Sequence, residues 1–362
     1  MKVFVKFFCI VQTKLIFVIL AMTVSYSNTR YLLVEIEQPK TPMKAAGRMM
    51  GKASARMIGN DNISPSKDSS LNSLAEHSNF SKINRKECGL DRTKQSSSRI
   101  IGGSESKKGE FPWLALLRKT PHTNWMCGGS LINELWVLTA AHCVTNESKS
   151  CKPITEEKME VMLGQHDKRK TSNVVIEASE KIIPHKEFSY CTGKSDIALI
   201  KLKKSIDLKI NKNINTVCLP LKNEKAINGG LKVTVAGYGN TKNEKDEDGT
   251  WTSTNSANIM KRLDTSLIDT VACDTAHDAM GRHYSILKEQ NICTKALEGQ
   301  DSCQGDSGGP LMTSIKNEKL LKHQWIQVGL VSWGNPKCGL KGIPGVYTNV
   351  KTYLKWILDN LD

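Results

Sequence analysis

The chain of 362 residues holds 11 cysteines but no C-x-x-C pair, so it lacks the close thiolate spacing of a metal site. It has no basic patch interleaved with aromatics and no nucleic-acid motif, so a net charge of +15 does not point to nucleic acid. A clean membrane span is missing too. The apolar stretch from Val3 to Val24 is long enough, but Lys6 and Lys14 interrupt it, and a charge inside a span is costly. Residues 28–99 have few aromatics, no sustained hydrophobic period and a single cysteine, Cys88. Such a stretch buries too little apolar surface to hold a fold, and one cysteine cannot staple a module.

The apolar stretch at the front carries Lys2, Lys6 and Lys14, a best hydrophobic core at Leu15–Val24, and small residues at Ser25 and Ser27. That pattern predicts a signal peptide over 1–27, cut after Ser27, and a secreted, extracellular protein; a signal anchor is the rival. Cys9 belongs to this stretch. The ten cysteines left, an even number, predict five disulfides, which suits secretion. Residues 28–99 read as a largely disordered segment, with a short helix expected near Met43–Met57. Residues 1–99 carry 16 basic and 7 acidic residues, so the excess positive charge sits in the front quarter, as in a protease-sensitive linker or a contact with an anionic surface. Asn62-Ile63-Ser64, Asn79-Phe80-Ser81 and Asn146-Glu147-Ser148 are candidate glycosylation sequons.

From Ile100 onward, short apolar runs recur between turn signals: Trp113–Leu117, Gly129–Ile132, Trp136–Leu138, Val161–Leu163, Ile197–Leu202, Val233–Ala236, Ile326–Trp333 and Val346–Asn349. Their length and spacing predict an all-β sandwich or pair of barrels rather than βαβ units. Tyr353–Leu358 has its apolar residues at helical spacing and predicts a C-terminal helix.

Three segments carry chemistry. In Asp301-Ser302-Cys303-Gln304-Gly305-Asp306-Ser307-Gly308-Gly309-Pro310, the glycines allow a tight turn that aims successive N–H groups at one point. Gly305 and Ser307 could then form an oxyanion hole around a serine hydroxyl. That hydroxyl is a poor nucleophile without a base. Thr139-Ala140-Ala141-His142-Cys143 supplies a histidine, and Asp196-Ile197-Ala198-Leu199-Ile200 an acid at the mouth of an apolar strand. The bland readings are a Gly/Ser-rich loop, a structural histidine and a turn aspartate. The three residues follow one another as His142, Asp196, Ser307.

With Arg99-Ile100-Ile101-Gly102-Gly103, Ser332-Trp333-Gly334 and Pro344-Gly345-Val346-Tyr347 in the same order, residues 100–362 resemble the chymotrypsin/trypsin family of serine endopeptidases. The resemblance implies two six-stranded antiparallel barrels with the cleft between them, a catalytic triad of His142, Asp196 and Ser307, and no cofactor. It places Asp301 on the floor of the primary specificity pocket, with Ser302, Ser332 and Trp333 around it and Gly334 and Gly345 as open walls. A buried aspartate needs a cation partner, so the substrates implied are proteins with Arg or Lys before the cleaved bond. Cleavage after Arg99 by a trypsin-like protease would free the Ile100 amino group to pair with Asp306, making the chain a zymogen. Serpin-type inhibitors are implied partners as well.

The resemblance also implies disulfides Cys127–Cys143, Cys273–Cys293, Cys303–Cys338 and Cys88–Cys218. Cys151 and Cys191 then remain, and pairing them would clip two cleft-rim loops. An extra pair there is similar to arthropod clip-domain and venom proteases, although residues 28–99 lack a six-cysteine clip module. Leu163-Gly164-Gln165-His166-Asp167-Lys168-Arg169-Lys170 stands where calcium-binding relatives have carboxylates, so no metal is expected. The rival to an enzyme is an inactive protease homologue acting as a binding protein; such homologues usually lose the serine or histidine.

Overall fold

The computed structural model describes residues 5–12, 15–22, 77–83, 87–93 and 104–362, apart from 148–150, 152, 157, 221–226, 228, 246–247, 281–285 and 318–321. The chain divides into two units, Met1–Ser66 and Lys67–Asp362. In the first, Val5–Gln12 and Leu15–Met22 form an antiparallel hairpin with Val5 opposite Met22 and Gln12 opposite Leu15. The expected helix near Met43–Met57, the Asn62 sequon and Arg99–Gly103 lie outside the described residues.

The second unit is built on two closed antiparallel barrels of six strands. Around the first run Val175–Pro184, Ala198–Leu202, Trp136–Thr139, Cys127–Leu131, Leu114–Lys119 and Met159–Leu163, which pairs back with Val175–Pro184. Around the second run Lys232–Gly237, Pro310–Asn317, Lys322–Trp333, Val346–Asn349, Asn291–Thr294 and Lys261–Ile268, which closes on Lys232–Gly237. Ser104–Glu105 adds a short edge strand beside Lys261–Arg262.

The strands legible as apolar runs are buried on both faces. Every residue of Trp136–Thr139 and of Cys127–Leu131 is buried, the inward side chains filling the barrel and the outward ones meeting the rest of the domain. Val175–Pro184 reads Val-Ile-Glu-Ala-Ser-Glu-Lys-Ile-Ile-Pro and alternates between half-buried and exposed over its first half. That mixed pattern marks a strand with one solvated face, which an apolar-run search passes over. Lys261–Ile268 escapes for the same reason.

The barrels meet through Trp113, whose Nε1 donates to Met312 Sδ at 3.1 Å, and through Ser130 Oγ, which donates to Gln327 Oε1 at 2.5 Å. One core joins the first barrel to the helix Leu354–Asp359 through Leu354, Ile357, Leu358 and Leu361.

Residues 77–83 and 87–93 depart from the expectation of a segment without structure. Phe80–Lys82 forms a 3-10 turn, and Ile83, Cys88 and Leu90 are buried. Asn79 Nδ2 donates to Leu358 O (2.9 Å), in the last turn of the C-terminal helix, and Lys82 Nζ to Leu361 O (3.2 Å), just beyond it. His77 Nε2 lies 3.0 Å from Asp359 Oδ1. Gly89 donates to Thr216 O and accepts from Trp325 N, and a Cβ at Gly89 would fall 2.1 Å from Trp325 O. Only glycine allows that approach.

Candidate active site

His142 sits in the 3-10 turn Ala141–Cys143, which the Cys127–Cys143 disulfide fastens to the strand Cys127–Leu131. Asp196 follows Ser195, a non-glycine residue at φ 54° held by the Tyr353 hydroxyl (3.2 Å). Both carboxylate oxygens of Asp196 are engaged. Oδ1 accepts the His142 backbone N–H (3.0 Å), and Oδ2 accepts His142 Nδ1 (2.8 Å) and Ser332 Oγ (2.5 Å). Its main-chain carbonyl accepts Thr348 Oγ1 at 2.8 Å. Two strands of the second barrel thus help to hold an acid that belongs to the first. A carboxylate can only accept, so Nδ1 carries the proton and Nε2 keeps its lone pair.

Burial alone would push the Asp196 carboxyl up. The His142 charge, its two hydrogen bonds and the Ser332 hydroxyl outweigh burial and hold the carboxyl below the usual range. Burial pulls the His142 imidazole down, but the Asp196 charge and hydrogen bond raise it above its ordinary value, against a smaller opposing effect of Lys119. Each partner therefore favours the charged form of the other.

Ser307 lies in a turn whose φ values are positive at Gly305 (99°) and Gly308 (75°). Its carbonyl accepts Gly128 N at 2.7 Å, tying the turn to the first barrel. A Cβ at Gly308 would meet Thr139 Oγ1 at 2.2 Å, so the glycine is what lets the turn approach the histidine segment. The Cys143 sulfur lies 3.7 Å from His142 Nε2 and 3.4 Å from the Ser307 carbonyl. Cys127, His142 and Cys143 cluster closely enough to hold a metal, but both sulfurs are spent in their mutual disulfide.

Asp301 and Asp306 line one cavity of about 380 Å³ that also takes in Gly237, Gly239 and Arg262. Burial pushes each carboxyl up to about 6. Against that, Asp301 accepts the Ser302 backbone N–H at 2.8 Å. Asp306 accepts Gly239 N (2.7 Å) and Cys303 N (3.0 Å), with the Lys168 charge as a further aid. A Cβ at Gly345 would fall 2.8 Å from Asp301 Oδ1, whereas one at Gly334 would meet nothing within 4 Å. Ser302 Oγ and Tyr347 OH are 3.1 Å apart.

Several residues at this site are not singled out by the sequence reading above. Cβ atoms at Gly237 and Gly239 would fall 2.1 and 2.2 Å from the Asp306 carboxylate oxygens, so both positions must be glycine. Ala236-Gly237-Tyr238-Gly239 was the cue available. His277 packs its ring 4.9 Å from that of Trp333, and its Nε2 lies 2.9 Å from Pro344 O, so it joins the Ser332–Gly334 and Pro344–Tyr347 segments. Tyr190 OH donates to Thr145 O at 2.8 Å beside the histidine turn. In the loop Gly164–Lys170, Arg169 takes both carboxylate oxygens of Asp167 (2.8 and 2.9 Å), and Gln165 Oε1 accepts His166 N.

The structure carries five disulfides: Cys88–Cys218, Cys127–Cys143, Cys151–Cys191, Cys273–Cys293 and Cys303–Cys338.

The family model described as Trypsin matches residues 100–357. Among curated proteins, the chain is 34% identical to CLIP domain-containing serine protease B4 of Anopheles gambiae, over 76% of this chain and 72% of that protein. It is 34% identical to Phenoloxidase-activating factor 3 of Holotrichia diomphalia, over 76% and 75%. It is also 34% identical to Tryptase of Mus musculus, over 71% and 87%.

Proposed function

Because the chain belongs to the trypsin family of serine endopeptidases, we propose that it is a secreted zymogen that cleaves protein substrates after Arg or Lys once it has been cut after Arg99. Ser307 Oγ attacks the scissile carbonyl while His142 Nε2 takes the hydroxyl proton. The backbone N–H groups of Gly305 and Ser307 receive the oxyanion of the tetrahedral intermediate. His142 then passes the proton to the leaving amine, and water repeats the sequence on the acyl-enzyme. Asp196 holds the imidazole in the Nδ1–H tautomer and stabilises its cation. The observation that carries this reading is the doubly bonded His142–Asp196 pair, with Nε2 left as the base.

Asp301 sets the preference. It is a half-buried carboxyl, no basic side chain pairs with it among the described residues, and an arginine or lysine of the substrate supplies the missing charge. Asp306 serves activation: the Ile100 ammonium freed by the cut enters the shared cavity and joins the backbone donors already on that carboxylate. Two relatives are named for phenoloxidase activation and for melanization. Limited proteolysis of another protein is accordingly the role we assign, with a trypsin-like protease as activator and serpin-type inhibitors as regulators.

An active-site fluorophosphonate probe tests the reading. The chain cut at Arg99 should label and hydrolyse an Arg ester; Ser307→Ala should do neither. Arg99→Gln should be secreted as a folded and nearly inactive single chain. Full activity from that uncut chain would remove the zymogen assignment, and labelling of the Ser307→Ala protein would remove the nucleophile.

A further inference from the structure

We infer that Asn146 is an N-glycosylation site whose glycan stands on the rim of the active-site cleft and limits which protein substrates enter. The inference rests on secretion, proposed above, and on three observations.

The first is the orientation of the side chain. Lys119 is buried, and its ammonium donates to two acceptors, Thr145 O at 2.9 Å and Asn146 Oδ1 at 2.7 Å, beside an ion pair with Glu156 Oε1 at 2.9 Å. An ammonium has three N–H donors and no acceptor, so it must face the amide oxygen rather than the nitrogen. Asn146 Oδ1 is therefore held inward, and Nδ2, the atom that takes the sugar, is turned away. Asn146 is exposed, and its Nδ2 makes no hydrogen bond among the described residues. A glycan added there leaves the Lys119 contact intact.

The second observation is the contrast with Asn79. That sequon asparagine is half-buried and spends Nδ2 on Leu358 O at 2.9 Å, where a sugar would meet the C-terminal helix. Of the two sequon asparagines among the described residues, Asn146 has an open amide nitrogen and Asn79 a closed one.

The third is place. Asn146 lies four residues after His142, in the short strand Thr145–Glu147 that pairs with Pro153–Thr155. Cys151, which falls between these strands in the sequence, is bonded to Cys191 in the loop that leads to Asp196. Tyr190 OH bonds Thr145 O and so ties the same strand to that loop. A bulky hydrophilic chain on Nδ2 projects from the wall between the histidine and aspartate loops. A small ester passes it, but a folded protein collides with it.

The test uses the full chain secreted from a eukaryotic cell, with intact mass and glycopeptide mapping before and after enzymatic deglycosylation. A glycan is expected at Asn146 and none at Asn79. Ser148→Ala removes the sequon while leaving Asn146 on Lys119, which separates loss of the sugar from loss of the contact; Asn146→Gln serves as the second variant. After cleavage at Arg99, both variants should keep kcat/KM on a small Arg ester within about twofold. They should cleave native protein substrates about threefold faster or more, since the discrimination lies in access rather than chemistry. An unmodified Asn146 in a secreted, ester-active enzyme overturns the inference and leaves the protease reading standing. A glycan at Asn146 whose loss changes neither ester nor protein cleavage overturns the gating role. A chain that reaches the medium but hydrolyses no ester tells against the protease reading, while the mapping still decides the site.

Discussion

Asp301 and Asp306 are half-buried carboxyls pushed up to about 6, first by desolvation and only partly relieved by backbone donors. An acid raised in the folded chain holds its proton more tightly there than when unfolded. Between about pH 6 and the ordinary aspartate range near 4, these two residues therefore favour the folded chain as pH falls. A cation in the pocket reverses the preference, because it stabilises the carboxylate. Binding of a small amidinium inhibitor to the cut enzyme should thus weaken by up to about tenfold per pH unit below about pH 6. Asp301→Ser should bind that inhibitor poorly without this carboxyl's slope. It should also lose Arg and Lys ester hydrolysis by several orders of magnitude while Ser307 still takes a neutral probe. Calorimetric titration from pH 5 to 8 checks the slope, and an unchanged profile in Asp301→Ser would remove the pocket assignment. The His142–Asp196 pair was legible in the sequence because each residue lies in a short motif of its own. His277 and Gly237 were not. Their partners, Pro344, Trp333 and Asp306, lie far along the chain, and only the closed barrel brings them together.

At the scale of elements, the strands legible in the sequence were those buried on both faces, such as Trp136–Thr139 and Ala198–Leu202. Strands with a wet face hide among polar residues, and the helix Thr270–Asp278 has only Cys273 and His277 buried. Its start is marked instead by Asp269, which accepts Val271 N at 2.8 Å. The Cys151–Cys191 bond joins two loops that no strand pairing connects, with Cα atoms 5.5 Å apart. Closing a loop of that length stabilises a domain by about 2–4 kcal/mol. On the reading proposed above, it also fixes two loops at the rim of the cleft, one after His142 and one before Asp196. The Cys151→Ser/Cys191→Ser double variant should therefore cleave a broader set of proteins while its rate on a small Arg ester changes little. Proteome-derived peptide and intact-protein libraries measure both. An unchanged protein selectivity would leave the bond a purely stabilising role.

At the scale of the molecule, residues 77–83 and 87–93, ahead of Arg99, pack into the second unit in a way their composition did not announce. Nothing in their polarity sets them apart from the sequence before them. Their order comes from single anchors: Ile83 in the core shared with Leu354, Leu358 and Leu361, Cys88 bonded to Cys218, and Gly89 laid against Trp325. A hydrophobic period needs many residues to show, whereas one isoleucine in the right pocket leaves no period at all. If these residues only tether the front segment, truncating Ile83 should matter little, as for most surface changes, within about 0.5 kcal/mol. If they belong to the folded domain, Ile83→Ala removes a side chain only 2% exposed from a continuous core. It should then cost about 2–5 kcal/mol, the transfer term plus the cavity left behind. Because Asn79 and Lys82 donate to the carbonyls of Leu358 and Leu361, the loss should appear first as faster amide exchange across Leu354–Leu361. Denaturant unfolding of the Ser307→Ala chain, which cannot digest itself, gives the free energy, and hydrogen exchange gives the place. A midpoint equal to that of the parent, with exchange in the C-terminal helix unchanged, would return residues 77–83 to the status of a linker.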